Sequence, residues 1–372
     1  MNMKTKHHPL RTILLSLLIL LLLVLVVFVG FYFTRLQTIQ SIEQITDYDD
    51  GYNLYRMNVQ YDYSLDRVIA YGITDNQTML DAILKEALPL LPVSMKVPNY
   101  GCTAFTLTDT DGSVHMGRNY DFKRDTSAML VYCAPKDGYR SVAFAALDNV
   151  ARIYRMKPEK KLATLTAPFI CLDGMNEKGV SIEVLTLDSE PVHQNTGKPT
   201  IATTLAIRLV LDRAATTEEA VQLLSSYDMF ASSGRDYHFY ITDASGDGRV
   251  VEYDCEKETR PLVATPMEAI TNFYGLYRDK VLPNQRNGIY GHGRERYDAV
   301  MKVLEEQAEG YTNDTVWDAL KASSQEPNPV DITSNTQWSI AYNNTGLTAE
   351  IVIRRHWDEI ISYSLSQNDV TR

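Results

Sequence analysis

Gly101-Cys102-Thr103-Ala104-Phe105, then Asp111-Gly112, then Gly117-Arg118-Asn119-Tyr120-Asp121: this stretch decides how the chain folds. The apolar run 104–107 predicts a strand, and Asp111-Gly112 is a hairpin turn signal. Residues 114–117 predict the return strand. A hairpin folded about that turn carries Arg118 and Asp121 back to the level of Cys102. One thiol, one guanidinium and one carboxylate are thereby gathered by a local device.

Outward from this hairpin, the patterning is that of an α+β domain. Residues 52–63 alternate as strands do, and 78–91 predict a helix ended by Pro92 and Pro98. Two strands are expected at 129–134 and 141–147. Residues 173–179 read as a turn between two further strands. Helices are expected at 200–215 and 217–227, and the second has Thr216 and Glu219 as a capping box. Strands follow at 237–242, 249–253 and 269–273, and then a loop rich in Gly, Asn and Pro at 275–293. Helices at 294–307 and 315–321 precede closing strands at 336–342 and 350–354. Strands arranged as antiparallel hairpins, with paired helices between them, indicate a layered sheet core and not βαβ units.

The N-terminus differs from the rest. Residues 13–33 are almost uninterrupted Leu, Ile, Val and Phe, about the roughly 20 residues a helix needs to cross a bilayer. Lys4, Lys6 and Arg11 precede this run, and Glu43, Asp47, Asp49 and Asp50 follow it. The positive-inside rule keeps the N-terminus in the cytoplasm. The run is longer than the apolar core of a signal peptide and ends in Phe31-Tyr32-Phe33, so an uncleaved anchor is expected. The expected organisation is a cytoplasmic segment 1–12, a transmembrane signal-anchor 13–34, a stalk and possible propeptide 35–101, and a catalytic domain 102–372. That places a single-pass protein in the cell membrane with its domain on the extracytoplasmic side. Of the 36 Lys and Arg residues three lie in 1–34, which has no acid; the remaining 33 against 47 Asp and Glu leave a net charge of −14. Such a surface repels phosphate backbones and argues against nucleic acid as a partner.

A thiol is a good nucleophile only as thiolate and needs a base or a positive charge nearby. No histidine sits in a thiol-protease pattern. His115 shares the hairpin, but a lone strand histidine reads as a packing or surface residue. Cys133 and Cys171 follow apolar runs and read as buried small hydrophobes. The remaining solution makes Cys102 a chain terminus, whose α-amine serves as base. That requires cutting Gly101–Cys102, for which Gly101 offers an unblocked carbonyl and a tolerant backbone.

With Cys102-Thr103 followed by Gly117-Arg118-Asn119-Tyr120-Asp121, the chain resembles the choloylglycine hydrolase group of N-terminal-nucleophile amidases, the linear amide C-N hydrolases. Asp173-Gly174-Met175-Asn176-Glu177-Lys178-Gly179, Asp243 to Gly246 with Glu252-Tyr253, Ile270-Thr271-Asn272-Phe273 and Arg296-Tyr297 are similar to further motifs of the group, in order. The resemblance implies a four-layer αββα sandwich and no metal or cofactor. It implies Cys102 as nucleophile, its freed amine as base and Asp121 as the group holding that amine. Arg118 would set the charge around the thiol, Asn272 would donate to the oxyanion, and Arg296 would close the site. The implied substrate is a small-molecule N-acyl amide, hydrolysed through a thioester.

Two departures stand out: 101 residues precede the cysteine, and Thr186 stands where the bile salt enzymes have an active-site asparagine. Acyl transfer through the same thioester, and a catalytically idle binding domain on the same fold, are the competing readings.

Overall fold

The computed structural model describes residues 9–89, 101–150, 153, 155–232, 234–286, 288–328 and 334–371. Helix α1 (Pro9–Gln40) leads into β1 (Glu43–Gln44) and β2 (Leu54–Asn58), then α2 (Leu65–Ala70) and α3 (Asn76–Ala87). The hairpin is β3 (Gly101–Thr108) and β4 (Val114–Asp121), each longer than the apolar runs that announce them. Next come β5 (Ala128–Cys133), β6 (Ser141–Ala146), β7 (Asp173–Asn176), β8 (Ser181–Leu187) and β9 (Thr200–Ala202). Helices α4 (Thr203–Arg213) and α5 (Thr217–Ser225) precede β10 (Asp228–Phe230), β11 (Asp236–Thr242), β12 (Arg249–Tyr253), β13 (Leu262–Pro266) and β14 (Ala269–Ile270). Helices α6 (Arg294–Glu306) and α7 (Asn313–Ser323) are followed by β15 (Thr336–Asn343), β16 (Thr348–Ile353), β17 (Ile361–Ser364) and β18 (Asp369–Thr371).

Sixteen strands form a nine-stranded sheet, β1-β2-β5-β6-β7-β8-β11-β12-β13, and a seven-stranded sheet, β14-β3-β4-β15-β16-β17-β18, while β9 and β10 pair with each other in parallel. Strand β3 faces β8 and β11 across the interface, α4 and α5 cover the outside of the larger sheet, and α6 and α7 cover the smaller. The result is an αββα sandwich. Period-2 alternation along the hairpin divides its side chains between two cores. Cys102, Ala104, Met116 and Tyr120 enter the core between the sheets, whereas Phe105 and Leu107 pack beneath α6 and α7. Gly117 is opposite Phe105, and a Cβ there would come within 2.1 Å of that ring, so the position admits only glycine.

Several local expectations shift. Residues 173–176 of the expected turn are strand β7, because they pair with β6 and β8; the turn itself is Glu177–Gly179, with Gly179 at φ +77°. Residues 200–202 are a strand, not the first turn of α4. Helix α3 starts at Asn76, where Asp75 and Thr78 form a capping box. Leu91, Pro92 and Pro98 lie outside the described residues.

The stretch 35–89 does not stand clear of the sandwich. Strand β2 pairs with β5, in parallel, inside the larger sheet. Leu54, Met57, Tyr61, Tyr63, Met79 and Ile83 belong to the main core. Helix α1 contains, within Ile13–Gln40, a window of mean hydropathy 3.4. It is long and apolar enough to cross a membrane, and a signal sequence meets the same requirement.

Candidate active site

In the hairpin register Gly101 is opposite Asp121, Cys102 opposite Tyr120, and Ala104 opposite Arg118. The expected gathering of Cys102, Arg118 and Asp121 is therefore present, but alternation places Arg118 and Asp121 on opposite faces of β4. Arg118 lies between the sheets with the thiol. Asp121 lies on the α6–α7 side with Arg296.

On the inner face, Arg118 is fully buried and held by two carboxylates. Its Nε donates to Asp173 Oδ2 at 2.5 Å and its Nη1 to Glu183 Oε2 at 2.6 Å. Asp173 also accepts from the Tyr342 hydroxyl at 2.6 Å. Arg118 Nη2 and Glu183 Oε1 have no hydrogen-bond partner among the described residues. Burial pushes the Cys102 thiol up to about 12, against the pull of the adjacent Arg118 guanidinium; Glu183 and Asp121 push the same way as burial. Burial also lifts Glu183 well above the ordinary carboxylate range and raises Asp173, in both cases against Arg118.

On the outer face, Arg296 connects the remaining groups. Its Nη1 donates to the Cys102 carbonyl at 2.8 Å, to Thr103 Oγ1 at 2.9 Å and to Asp121 Oδ2 at 3.4 Å; its Nη2 donates to Asn272 Oδ1 at 2.7 Å. Asp121 accepts further from Thr336 Oγ1 at 2.6 Å and Gln325 Nε2 at 2.9 Å. Burial raises its pKa, and Arg296, Thr336 and Gln325 oppose that rise. Arg296 reaches inward from the first turn of α6, whose N-cap is Gly293 at φ +84°. A Cβ at Gly293 would fall 2.3 Å from Arg296 Nη2, so glycine makes room for the guanidinium.

Asn272 follows β14, which pairs with β3. Its Oδ1 accepts the Cys102 backbone N–H at 3.1 Å, and its Nδ2 donates to the Thr186 carbonyl at 2.8 Å. Two donors at Oδ1 and one acceptor at Nδ2 fix the amide orientation. It is thus the carbonyl of Asn272, not its amide nitrogen, that faces the cysteine in this state. The backbone nitrogen of Cys102 is the atom that becomes an amine if the preceding bond is cut.

Cys102, Arg118, Asp121 and Asn272 all have zero solvent exposure. Tyr120, beside Cys102, stacks on Trp338 at 4.1 Å between ring centroids. Nearby Asp148 is buried, with Oδ1 unpartnered among the described residues, and burial lifts its pKa to about 6 against Arg124 and Thr126. His115 is buried five positions along β4 from Tyr120 and is opposite Leu107, not Cys102. Cys133 and Cys171 are buried free thiols, and Cys255 is half-buried. Among the described residues no group of three or more His, Cys, Asp or Glu is placed to hold a metal ion.

Asp173 and Glu183 are the residues that the sequence reading leaves without a role at the thiol. Their signal is a carboxylate inside a run that is otherwise apolar, Cys171 to Met175 and Ile182 to Leu185. Register converts that signal into a site, because Asp173 and Glu183 are directly paired across β7 and β8.

Residues 102–259 match the family model described as linear amide C-N hydrolases, choloylglycine hydrolase family. No curated protein matches the sequence. Among solved structures, penicillin V acylase from Agrobacterium tumefaciens aligns with a TM-score of 0.52 and 18% identity, over 72% of this chain and 87% of that one. Two variants of conjugated bile acid hydrolase from Clostridium perfringens align with TM-scores of 0.52 and 15% identity. They cover 73% of this chain and 96% and 95% of theirs. At these identities the likeness is one of fold alone, that of the αββα sandwich. Residues 102–259 thus resemble the choloylglycine hydrolase family of linear amide C-N hydrolases, and the chain shares its fold with these solved structures.

Proposed function

We propose that the protein cuts its own Gly101–Cys102 bond and then uses Cys102 to hydrolyse a small linear N-acyl amide outside the cell membrane. One observation carries this reading: Asn272, Arg296 and Arg118 converge on the nitrogen, the carbonyl and the thiol of the same residue, Cys102. In the uncut chain the thiol is sealed and protonated, with a pKa near 12. Attack of Sγ on the Gly101 carbonyl carbon, followed by hydrolysis of that thioester, leaves Gly101 with a carboxylate and Cys102 with a free amine. An α-amine has an ordinary pKa of about 8, suited to take the thiol proton at neutral pH. The thiolate then attacks the substrate carbonyl, the amine leaves, and water releases the acid from the thioester.

Arg118 stabilises the thiolate, and Asp121, opposite Gly101, holds the new amine. Arg296 fixes the Cys102 carbonyl and the Asn272 side chain. Asn272 acts as oxyanion donor if its Nδ2 exchanges the Thr186 carbonyl for the developing oxyanion; one such donor is worth roughly 3 kcal/mol of barrier. The packing of residues 35–89 explains how a cut chain keeps its anchor. Strand β2 hydrogen-bonds along β5, Tyr63 donates to Asp212 at 2.9 Å, and Arg56 Nη2 donates to the Asn368 carbonyl at 2.5 Å. Lys4, Lys6 and Arg11 ahead of α1 support, by the positive-inside rule, an orientation with residues 102–372 outside.

The test is a panel of N-acyl substrates (bile conjugates, penicillin V, acyl-homoserine lactones, fatty-acyl amino acids) against wild type and Cys102→Ala. Turnover of at least one amide by wild type, falling to background in Cys102→Ala, is the expected result. Equal turnover by both proteins would remove Cys102 from the mechanism.

A further inference from the structure

A groove of about 1100 Å³ runs between the outer half of α1 and the α2–α3 pair, away from Cys102. One wall is Val24, Val27, Phe28 and Phe31 of α1; the other includes Tyr71, Ala82 and Lys85. Arg35 closes one end. Its Nε donates to the Ala87 carbonyl and its Nη2 to the Glu86 carbonyl, each at 2.8 Å, and its guanidinium packs 3.8 Å from the Phe31 ring centroid. Those carbonyls are the unsatisfied C-terminal groups of α3, so the same bonds cap α3 and fix α1 against it. The groove width is therefore set by hydrogen bonds and not by loose contact.

The charges in the groove are unequal. Arg67 is paired with Glu86 at 2.6 Å, and Asp62 with Lys136 at 3.0 Å. Lys85 makes no ion pair among the described residues and lies 4.9 Å from the centroid of the exposed Tyr71 ring. Arg35 bonds only to carbonyls. Glu86 also lies within electrostatic reach of Arg35, so Lys85 is the groove cation without a carboxylate partner among the described residues, and it sits beside an alkyl and aromatic wall. At 1.5 Å per residue, Val24 lies about 14 Å along the helix from Phe33, nearly the half-thickness of a hydrocarbon core of about 30 Å. With residues 13–33 spanning, the apolar wall lies in the outer leaflet and the α2–α3 elbow meets its headgroups, where Tyr and Lys are favoured.

We propose that this groove binds an outer-leaflet phospholipid, with one acyl chain along Val24, Val27 and Phe28 and the phosphate beside Lys85, and so seats the catalytic domain on the bilayer. The proposal rests on α1 being an uncleaved span. The full chain, reconstituted in phosphatidylglycerol nanodiscs with p-benzoylphenylalanine in place of Tyr71 or, separately, Val27, is irradiated and its mass is measured. Phospholipid adducts are expected at both positions. Lys85→Glu in the Tyr71-labelled protein should lower the adduct yield roughly fivefold, the equivalent of about 1 kcal/mol for one cation at a lipid surface. An adduct at Val27 with none at Tyr71 would overturn the groove site and leave the span intact. Absence at both positions would overturn the span itself, and the site with it. An adduct at Tyr71 that Lys85→Glu leaves unchanged would overturn the phosphate–lysine contact.

Discussion

Two buried arginines flank Cys102, and their surroundings differ in kind. Arg118, between the sheets, is gripped by side-chain carboxylates, Asp173 and Glu183, and faces the thiol. Arg296, on the helix side, does the gripping: it binds a backbone carbonyl, a hydroxyl and an amide oxygen, and touches Asp121 only at 3.4 Å. The first arrangement fixes a charge beside the sulfur. The second fixes the geometry of the cysteine backbone, the part that changes if the chain is cut. The role proposed for Cys102, as both nucleophile and base, would need both kinds of control, one for each of its reactive atoms.

Removing the first arginine should have the larger effect. Arg118→Met leaves Asp173 and Glu183 buried without their cation, and breaking a buried pair of this sort costs about 3–5 kcal/mol. Chemical unfolding of the full chain should show a loss of that order, together with loss of self-cleavage. A loss confined to turnover, with stability unchanged, would mean that Arg118 is not the structural centre of the inner face. Arg296→Lys keeps the charge but not the fork, so one ammonium cannot hold the Cys102 carbonyl and Asn272 Oδ1 together. Stability should fall by only about 1–2 kcal/mol, while turnover falls on the order of tenfold to a hundredfold. Equal turnover in the lysine variant would reduce Arg296 to a charge.

An effect on stability alone is expected next to the thiol face. Asp148 has a pKa lifted to about 6 by burial. Its unfolded value is about 3.9. A carboxyl raised in this way favours the folded state below about pH 4, and that contribution is lost as the pH climbs through 6. Asp148→Asn should therefore match wild type near pH 4 and exceed its stability by roughly 1–3 kcal/mol at pH 7–8. A pH-independent difference in unfolding midpoints would show that Asp148 is not held in a raised state.

The contrast also shows what a single chain discloses. The hairpin, its turn at Asp111-Gly112 and the arrival of Arg118 and Asp121 near Cys102 follow from period-2 patterning over a short stretch, and all were readable. Their separation onto opposite faces follows from the same period, since 118 and 121 differ by an odd number, yet it takes the register of β3 against β4 to give it meaning. Asp173 and Glu183 are hidden for a different reason. They come from strands of the other sheet, so their contact with Arg118 depends on how two sheets stack, which no local pattern encodes. The partner of β2 is hidden for a similar reason: the alternation at 52–63 is readable, but β2 is bound by backbone pairing to a strand 74 positions later, Leu54 with Ala128. The orientation of the Asn272 amide was not legible, because it is set by Arg296 and Thr186 from distant segments.

On the proposed function, Cys102 becomes reactive by becoming a chain terminus. The most direct measurement is the intact mass and N-terminal sequence of the full-length protein purified from membranes, taken on the same sample whose amide turnover is measured. Two fragments that remain associated are expected, one beginning at Cys102 and one ending at Gly101, and a single uncut, inactive chain for Cys102→Ala. One uncut chain of 42.1 kDa with full turnover would contradict that expectation.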